Sequence, residues 1–235
     1  MATYLQLCQD VARESGTVPT IGAPTTVSGQ TGRLARIVTW VKDAWVDIQK
    51  QRPDWQWMLD EWSGTLTANT QRYSAASFSI DSRFSRWVLT DRQGNSALSC
   101  YKTSDGQTGE YELTIVPWMA FRRNYLRGSA ASRTGRPQAV AVDDQQQLVF
   151  YPIPDAGYTV NGFYHKSPQV LASDSDVPEC PAEFHAAIKW RALLYLGAYD
   201  EAPDQMGFWN QQLMRTIGEM VRHQVPPIEA PGALA

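Results

Sequence analysis

The longest regular pattern of apolar positions lies between Arg33 and Trp55, in the stretch RLARIVTWVKDAWVDIQKQRPDW. Its apolar residues recur at spacings of three and four, at Leu34, Ile37, Val38, Val41, Ala44, Trp45 and Ile48. This spacing predicts an amphipathic α-helix with one continuous apolar face. Trp40 lies outside that face. The helix is therefore predicted either to meet a second partner at Trp40 or to be buried on most sides within its own domain.

Helical spacing also occurs at both ends of the chain. The segment TYLQLCQDVARES predicts a short N-terminal helix with Thr3 as its N-cap. After Pro168, two apolar stripes predict a helix that begins near Pro181 and another that runs from about Asp204 to Arg222. The tail QVPPIEAPGALA contains three prolines, so we expect an extended segment, either a disordered end or an arm on a partner.

Between the helical segments, the pattern changes to short runs rich in Thr, Ser and aromatic residues. Strands are predicted at 65–70, 73–80, 86–90, 97–103, 110–116, 138–142, 148–151 and 158–165. Turn residues such as Asp105-Gly106 separate these runs, and a short helix is predicted in the first half of 116–138. The middle of the chain is therefore predicted to be an antiparallel β-sandwich or barrel.

The predicted fold class is α+β, with a helical bundle formed by the N- and C-terminal helices and an antiparallel β-sandwich or barrel domain inserted between them. The predicted boundaries are 1–60 and 170–223 for the helical domain, 61–169 for the β domain and 224–235 for an extended C-terminal arm. Residues 16–32 are rich in Gly, Pro and hydroxyl side chains and predict a long loop. That loop is expected to be functional, to wrap a neighbour or to be a disordered connection.

The charge distribution and the cysteine content reduce the number of function classes that fit the sequence. The net charge is -3, and the acid is concentrated in residues 171–235, which carry four basic and nine acidic residues. A protein that grips nucleic acid needs a basic surface, so the balance disfavours that class but allows a surface that nucleic acid passes. The cysteines Cys8, Cys100 and Cys180 are far apart and odd in number, which predicts reduced thiols. With neither a signal peptide nor a long apolar run, we expect a soluble protein with no membrane partner.

The sequence contains no pattern that is typical of an enzyme. GxSxG, GxxxxGK[ST], HExxH and CxxC are all absent. The histidines His165, His185 and His223 have no partner at ligand spacing. The acidic stretch 173–179 lacks the glycine turn and further oxygen ligands of a cation loop, so a polar connection is favoured there. We therefore expect no catalysis, no cofactor and no metal.

A run of arginines is the strongest local charge feature. Five of them lie between Trp118 and Gln138, and no acidic residue occurs between Glu112 and Asp143. They are Arg122, Arg123, Arg127, Arg133 and Arg136. Such a cluster can meet the acidic C-terminal helices of a neighbouring subunit, remain solvated, or face DNA phosphates. We favour the contact with a neighbour, then solvation, then DNA.

Two stretches resemble the head-to-tail adaptor proteins of tailed bacteriophages, also called neck, connector or tail tubular adaptor proteins. The first is RLARIVTWVKDAWVDIQKQRPDWQWM, a helix with an Ala-Trp step that ends in Asp-Trp. The second is GRPQAVAVDDQQQLVFYPIPDAGYTVNGFYHKSPQVL, with a Gly-Arg-Pro entry, a Tyr-Pro-Ile-Pro-Asp turn and a Tyr-rich strand. The resemblance covers most of the chain in order.

The resemblance implies a structural virion protein rather than an enzyme. Family members form a homo-oligomeric ring, typically a dodecamer, that binds the portal protein and offers a platform to the next neck or tail protein. Such a protein would be assembled in the host cytoplasm and stay in the virion neck, with double-stranded DNA passing through its lumen without specific binding. Trp40, Trp45, Trp55 and Trp57 would then anchor packing within and between subunits, and the five arginines would be further candidate interface residues.

Two other function classes remain as alternatives. The nine Trp and the predicted β domain would suit a carbohydrate- or receptor-binding module of a phage tail, because an exposed Trp can stack on a sugar ring. However, five of the nine lie in or beside predicted helices, which favours packing. A cell-wall hydrolase would need two carboxylates in a cleft, and no such pair stands out.

Overall fold

The computed structural model describes residues 1–52, 54–80, 83–91 and 93–224, except for the side chains of residues 19 and 20. It is an α+β structure with antiparallel sheets, as the sequence predicts. The α-helices are α1 (Tyr4–Glu14), α2 (Val18–Ile21), α3 (Gly32–Gln51), α4 (Trp118–Tyr125), α5 (Ala186–Tyr199) and α6 (Pro203–Gln224). The strands are β1 (Leu59–Leu66), β2 (Arg72–Tyr73), β3 (Phe84–Val88), β4 (Ser99–Lys102), β5 (Tyr111–Glu112), β6 (Thr114–Ile115), β7 (Thr134–Gly135), β8 (Ala139–Val142), β9 (Leu148–Tyr151), β10 (Ile153–Pro154) and β11 (Tyr158–Lys166).

The chain divides into two compact units. One comprises Met1–Trp57 and Pro168–Ala235 and contains α1, α2, α3, α5 and α6; we call it the helical unit. The other comprises Met58–Ser167 and contains α4 and strands β1 to β11; we call it the β unit. The predicted C-terminal arm, 224–235, lies outside the described residues beyond Gln224.

Helix α5 is the centre of the helical unit, because it packs against α1, α3 and α6. Its buried residues lie on more than one face and are Ala187, Ile188, Ala192, Leu193, Leu196 and Gly197. A helix that is apolar around most of its circumference is stable only when neighbours cover it. At Gly197, an added Cβ would lie 2.8 Å from the Trp209 ring, so α6 approaches α5 closely at this point.

Helices α1 and α3 confirm the periodicity predictions. Helix α1 begins behind a capping box, in which the Thr3 hydroxyl accepts from the Gln6 backbone N–H and the Gln6 side chain accepts from the Thr3 backbone N–H. In α3, the predicted apolar face supplies the residues with no exposed surface, which are Ile37, Val41, Ala44, Trp45 and Ile48. The spacing of three and four therefore places the core-facing side of α3 correctly.

The segment 16–32 is bonded to its own unit. Asp174 accepts hydrogen bonds from the Val27 backbone N–H at 2.6 Å and from the Thr26 hydroxyl at 3.1 Å. The Gln9 side chain donates to the Pro24 carbonyl at 3.0 Å. These contacts tie the segment to α1 and to the connection before α5.

The β unit contains two larger sheets. In the first, the strand order is β1-β11-β4-β5, and β3 also pairs with β11; every pairing in it is antiparallel. In the second, the order is β2-β9-β8-β6, where only the short β6 lies parallel to its neighbour. Strands β7 and β10 form a further short parallel pair. The parallel pairings depart from the wholly antiparallel domain that the sequence predicts, and each joins segments of only two residues.

Both sheets contribute side chains to one apolar core. Trp62 and Leu66 come from β1 and Val160 from β11 in the first sheet, whereas Phe150 comes from β9 in the second. The opposite face of the second sheet is covered by α4, whose Phe121 packs with Ala139, Ala141, Val149 and Tyr151. Strands β8 and β9 are thus buried on both faces, which explains why AVAV and LVFY are continuous apolar runs without alternation.

Two strand predictions were wrong, and a third, 65–70, was mostly so, because β1 ends at Leu66. Residues 73–80 form a turn of 3-10 helix at Ala75–Phe78, because the hydroxyl groups of Ser74 and Ser77 cap it reciprocally and satisfy local N–H groups. Residues 110–116 form two short strands in different sheets, since the Leu113 N–H donates to Leu98 and the Thr114 N–H donates to Gln138. Both departures come from hydrogen bonds that the alternation of apolar residues does not encode.

Gly64 allows β1 to lie directly against an aromatic ring. A Cβ at this position would lie 2.1 Å from Cδ1 of Phe78, whose ring stacks on Trp62 at 4.5 Å. The substitution Gly64→Ala is therefore expected to destabilise the β unit by about 1 to 3 kcal/mol, because a rigid ring must move within a packed core. Chemical denaturation measures the loss. Gly109→Ala is the control, with no atom within 4 Å of the added Cβ, and an equal loss in both variants would contradict the argument.

Candidate functional site

Three of the predicted site tryptophans pack together inside the helical unit. Trp45 and Trp55 are buried, and each indole N–H donates to an oxygen of the same unit, Gln169 Oε1 at 2.9 Å and the Ile48 carbonyl at 3.1 Å. Trp57 is half-buried and stacks on Trp55 with a ring-centroid distance of 4.4 Å. The centroids of Trp45 and Trp57 are 6.5 Å apart. Trp45 and Trp55 therefore act within the unit, and only Trp57 keeps part of its surface exposed.

Trp40 lies on the other side of α3 and has a different environment. It is half-buried, and its ring centroid is 5.7 Å from that of Tyr199. Tyr199 is 54% exposed, and the Arg36 guanidinium lies 3.9 Å from the centroid of its ring. The result is a partly open aromatic and cationic cluster on a second face of α3.

A groove of about 440 Å³ adjoins this cluster and is lined by Trp40, Asp43, Val46, Asp47, Lys50 and Tyr195. Asp47 accepts hydrogen bonds from the Tyr195 hydroxyl and from the Arg191 guanidinium. Because the Tyr195 and Arg191 hydrogen bonds favour the carboxylate, the pKa of Asp47 is lowered and this group stays ionised at neutral pH. The groove therefore combines apolar ring surface with fixed charge.

Tyr195, Tyr199 and Arg36 are not among the site residues that the sequence predicts. Both tyrosines fit the apolar spacing of the helix that follows Pro181, whereas Tyr199 is mostly exposed. The spacing of four between Tyr195 and Tyr199, and between Arg36 and Trp40, was the available signal, since residues four apart share one helix face.

The five predicted arginines lie in the β unit and are all exposed. Helix α4 directs Phe121 into the core and leaves Arg122 and Arg123 outside. Arg127, Arg133 and Arg136 lie in the segment between α4 and β8. Within the described part of the chain, none of the five forms an ion pair with a carboxylate.

Most of the acidic residues near the C-terminal helices have partners in their own chain. Asp174 accepts from the loop at 16–32, and Asp176 accepts from the backbone N–H groups of Ala172 and Ser173. Asp200 forms a bidentate pair with Arg33, and this hydrogen bonding lowers the pKa of Asp200. The acidic surface on offer to a neighbour is thus smaller than the composition of residues 171–235 indicates.

The buried histidine and the three cysteines, which are the other potentially reactive side chains, have structural roles. His185 is buried, accepts from the Ala2 N–H and has a pKa lowered by burial. Burial raises the pKa of the Cys8 and Cys180 thiols to about 12 and that of Cys100 to about 11, which leaves them protonated and unreactive. The described residues contain no group of three or more His, Cys, Asp or Glu side chains that could hold a metal ion. Their helices also include none that is long and apolar enough to span a membrane.

The comparisons with known proteins agree with the resemblance seen in the sequence. A family model described as SU10 adaptor protein matches residues 2–233, which is nearly the whole chain. No curated protein matches the chain. The matched family is one of phage head-to-tail adaptors, structural components of the virion rather than enzymes. The match over residues 2–233 identifies this chain as a member of the SU10 adaptor protein family.

Proposed function

We propose that the protein forms a ring, a dodecamer in its mature state, that joins the capsid portal protein to the next neck or tail protein. Genome DNA passes through the lumen of this ring during ejection. The subunits assemble in the host cytoplasm and the ring remains in the virion neck. The family match supports the adaptor role, and the open face of α3 supports an assembly of identical subunits.

The proposed ring subunit has a helical bundle with an inserted β-sandwich. Residues 1–60 and 170–223 form the helical domain, 61–169 form the sandwich, and 224–235 form an arm. The contact-based units Met1–Trp57 with Pro168–Ala235, and Met58–Ser167, support this division. The core that both larger sheets share supports the sandwich arrangement.

The observation that carries the proposal is the contrast between two rings on one helix. Trp45 has no exposed surface, whereas Trp40 is half-buried beside a groove and an exposed tyrosine. Large aromatic side chains that are left partly open next to polar groups are typical anchors of subunit interfaces. Trp40 is therefore the residue on which we expect a second subunit to pack.

No observation favours the carbohydrate-binding alternative. All nine Trp lie among the described residues, and each is buried or half-buried. A sugar-stacking platform needs an open ring face. The Trp118 ring, which lies in the β unit, has the guanidinium groups of Arg72 and Arg122 at 5.4 and 5.9 Å from its centroid.

The substitution Trp40→Ala is expected to leave the monomer folded and to weaken assembly. Truncation of an interface anchor costs about 2 kcal/mol or more, which corresponds to roughly a 30-fold weaker association per interface. Analytical ultracentrifugation across a concentration series measures the change, and circular dichroism checks the fold. Trp190→Ala is the matched control, because Trp190 is another half-buried indole of the helical unit that contacts Phe208 within its own chain.

The decisive experiment is negative-stain electron microscopy of the purified protein, alone and after mixing with its cognate portal. Rings, or an added layer of density on the portal, are the expected result. A monomer that leaves the portal unchanged would refute the adaptor ring. If Trp40→Ala assembled as well as the wild type, the ring would remain but its Trp40 contact would be wrong.

A further inference from the structure

Arg122, Arg123, Arg127, Arg133 and Arg136 are all exposed on the β unit. We propose that they together form a basic surface that binds the phosphate backbone of duplex DNA. We call it the arginine face. This inference rests on the proposed function for the presence of DNA beside the chain. It deepens that function, because it names the surface that the passing DNA touches.

The positive charge of the arginine face is not neutralised by its surroundings. The five guanidinium groups are exposed and form no ion pair with a described carboxylate. Two carboxylates near the arginine segment in sequence have other partners: Asp143 is bonded to Arg72 at 2.5 Å and to two backbone N–H groups, and Glu110 accepts from Ser99 and Asn161. Uncompensated positive charge on a surface is what an anionic polymer recognises.

Two of the guanidinium groups rest against aromatic rings. Arg136 lies 3.5 Å from the centroid of the Tyr111 ring, and the Tyr111 hydroxyl is itself fixed by donating to the Pro137 carbonyl at 2.6 Å. Arg122 lies 5.9 Å from the Trp118 centroid. A stacked guanidinium uses its flat face for the ring and keeps the N–H donors in its plane for other partners. Because the two guanidinium groups are already positioned, less side-chain conformational entropy is lost when they bind phosphate oxygens.

A second copy of the chain is the competing occupant, and the structure favours it less. Of the acids around the C-terminal helices, Asp174, Asp176 and Asp200 are satisfied within the chain. The exposed carboxylates that have no described ion pair include Glu201, Asp204 and Glu219. Duplex DNA offers about one negative charge per 1.7 Å of its axis, a far denser counterpart for five cations.

The expected binding is independent of DNA sequence and weak enough for DNA to move. Guanidinium contacts with phosphates carry no base information. Because the chain as a whole is net acidic at -3, attraction is confined to this face and is opposed by the rest of the surface. A surface of this kind guides DNA without holding it.

The test is fluorescence anisotropy of a short labelled duplex titrated with the full chain at several salt concentrations. If five phosphates are contacted, the logarithm of the association constant should fall linearly with the logarithm of the salt concentration, with a slope of about -4.5. This slope corresponds to roughly a 500-fold loss of affinity between about 50 and 200 mM salt. The double variant Arg122→Gln/Arg123→Gln should reduce that slope by about 1.8. Arg215→Gln/Arg222→Gln on α6 removes the same charge from exposed positions, and it should bind as the wild type does.

Two other outcomes overturn the inference. If both double variants lose affinity equally, net charge and not the arginine face controls binding. If Arg122→Gln/Arg123→Gln binds DNA normally but no longer forms rings in the microscope, the face contacts a second copy of the chain. Failure of the wild type to form rings or to layer on the portal, with DNA binding intact, refutes the proposed function and leaves the arginine face standing.

Discussion

Replacing Trp45 with alanine is expected to destabilise the helical unit by about 3 to 5 kcal/mol. The indole is wholly buried and fills the space between α3 and the stacked ring of Trp57. Its N–H also donates to Gln169 Oε1, which accepts in addition from the Glu179 N–H. The truncation therefore removes apolar contacts, leaves a cavity and deletes one hydrogen bond from the connection after Pro168.

Hydrogen exchange of the α3 amides, followed by mass spectrometry, measures this loss in the helical unit alone. A unit-specific probe is needed because a chain with two units need not unfold in one step. The same substitution at Trp40 is the control, since that ring is half-buried and faces the groove. Equal loss of protection in the two variants would contradict the assignment of a core face and an assembly face to α3.

The second large effect is expected for Phe121→Ala, with a loss of about 3 to 5 kcal/mol in the β unit. Phe121 has no exposed surface and contacts Tyr125 and Tyr151 at centroid distances of 5.2 and 6.5 Å. It belongs to the buried cluster that packs α4 against the second sheet. Without it, α4 loses its anchor, and the arginines that α4 presents lose their fixed positions.

Thermal unfolding monitored by circular dichroism measures the stability change, and the salt dependence of DNA binding measures its consequence. Met119→Ala is the matched control on the same helix, because Met119 is 74% exposed and its loss should stay within about 0.5 kcal/mol. We expect Phe121→Ala to weaken DNA binding at temperatures where the protein remains folded. Unchanged DNA binding in that variant would separate the arginine face from the packing of α4.

Helices α3 and α4 share one arrangement: each has an aromatic side chain buried in the core on one side and the proposed functional residues on the other. In α3, Trp45 faces the core and Trp40 faces the groove. In α4, Phe121 faces the core and Arg122 and Arg123 face outward. The stability of each helix therefore sets how precisely its outward side chains are held for assembly or for DNA.

The sequence by itself determined the features that repeat over short distances. The spacing of three and four along α3 identified its core face and left Trp40 outside it, because helix geometry alone decides which residues share a side. Thr3 marked the start of α1 through a hydrogen bond to a residue three positions away. The absence of acidic residues between Glu112 and Asp143 likewise made the arginines a distinct feature.

Only the tertiary structure decided which of these features are open to a partner. No local sequence pattern distinguishes the buried Trp55 from the half-buried Trp40. Trp55 is buried because it lies back against α3, where its indole N–H donates to the Ile48 carbonyl. The acidic character of residues 171–235 looked available until Asp174 proved to be bonded to Val27, 147 positions away. Contacts of this length depend on how the elements pack together, and local periodicity carries no information about that packing.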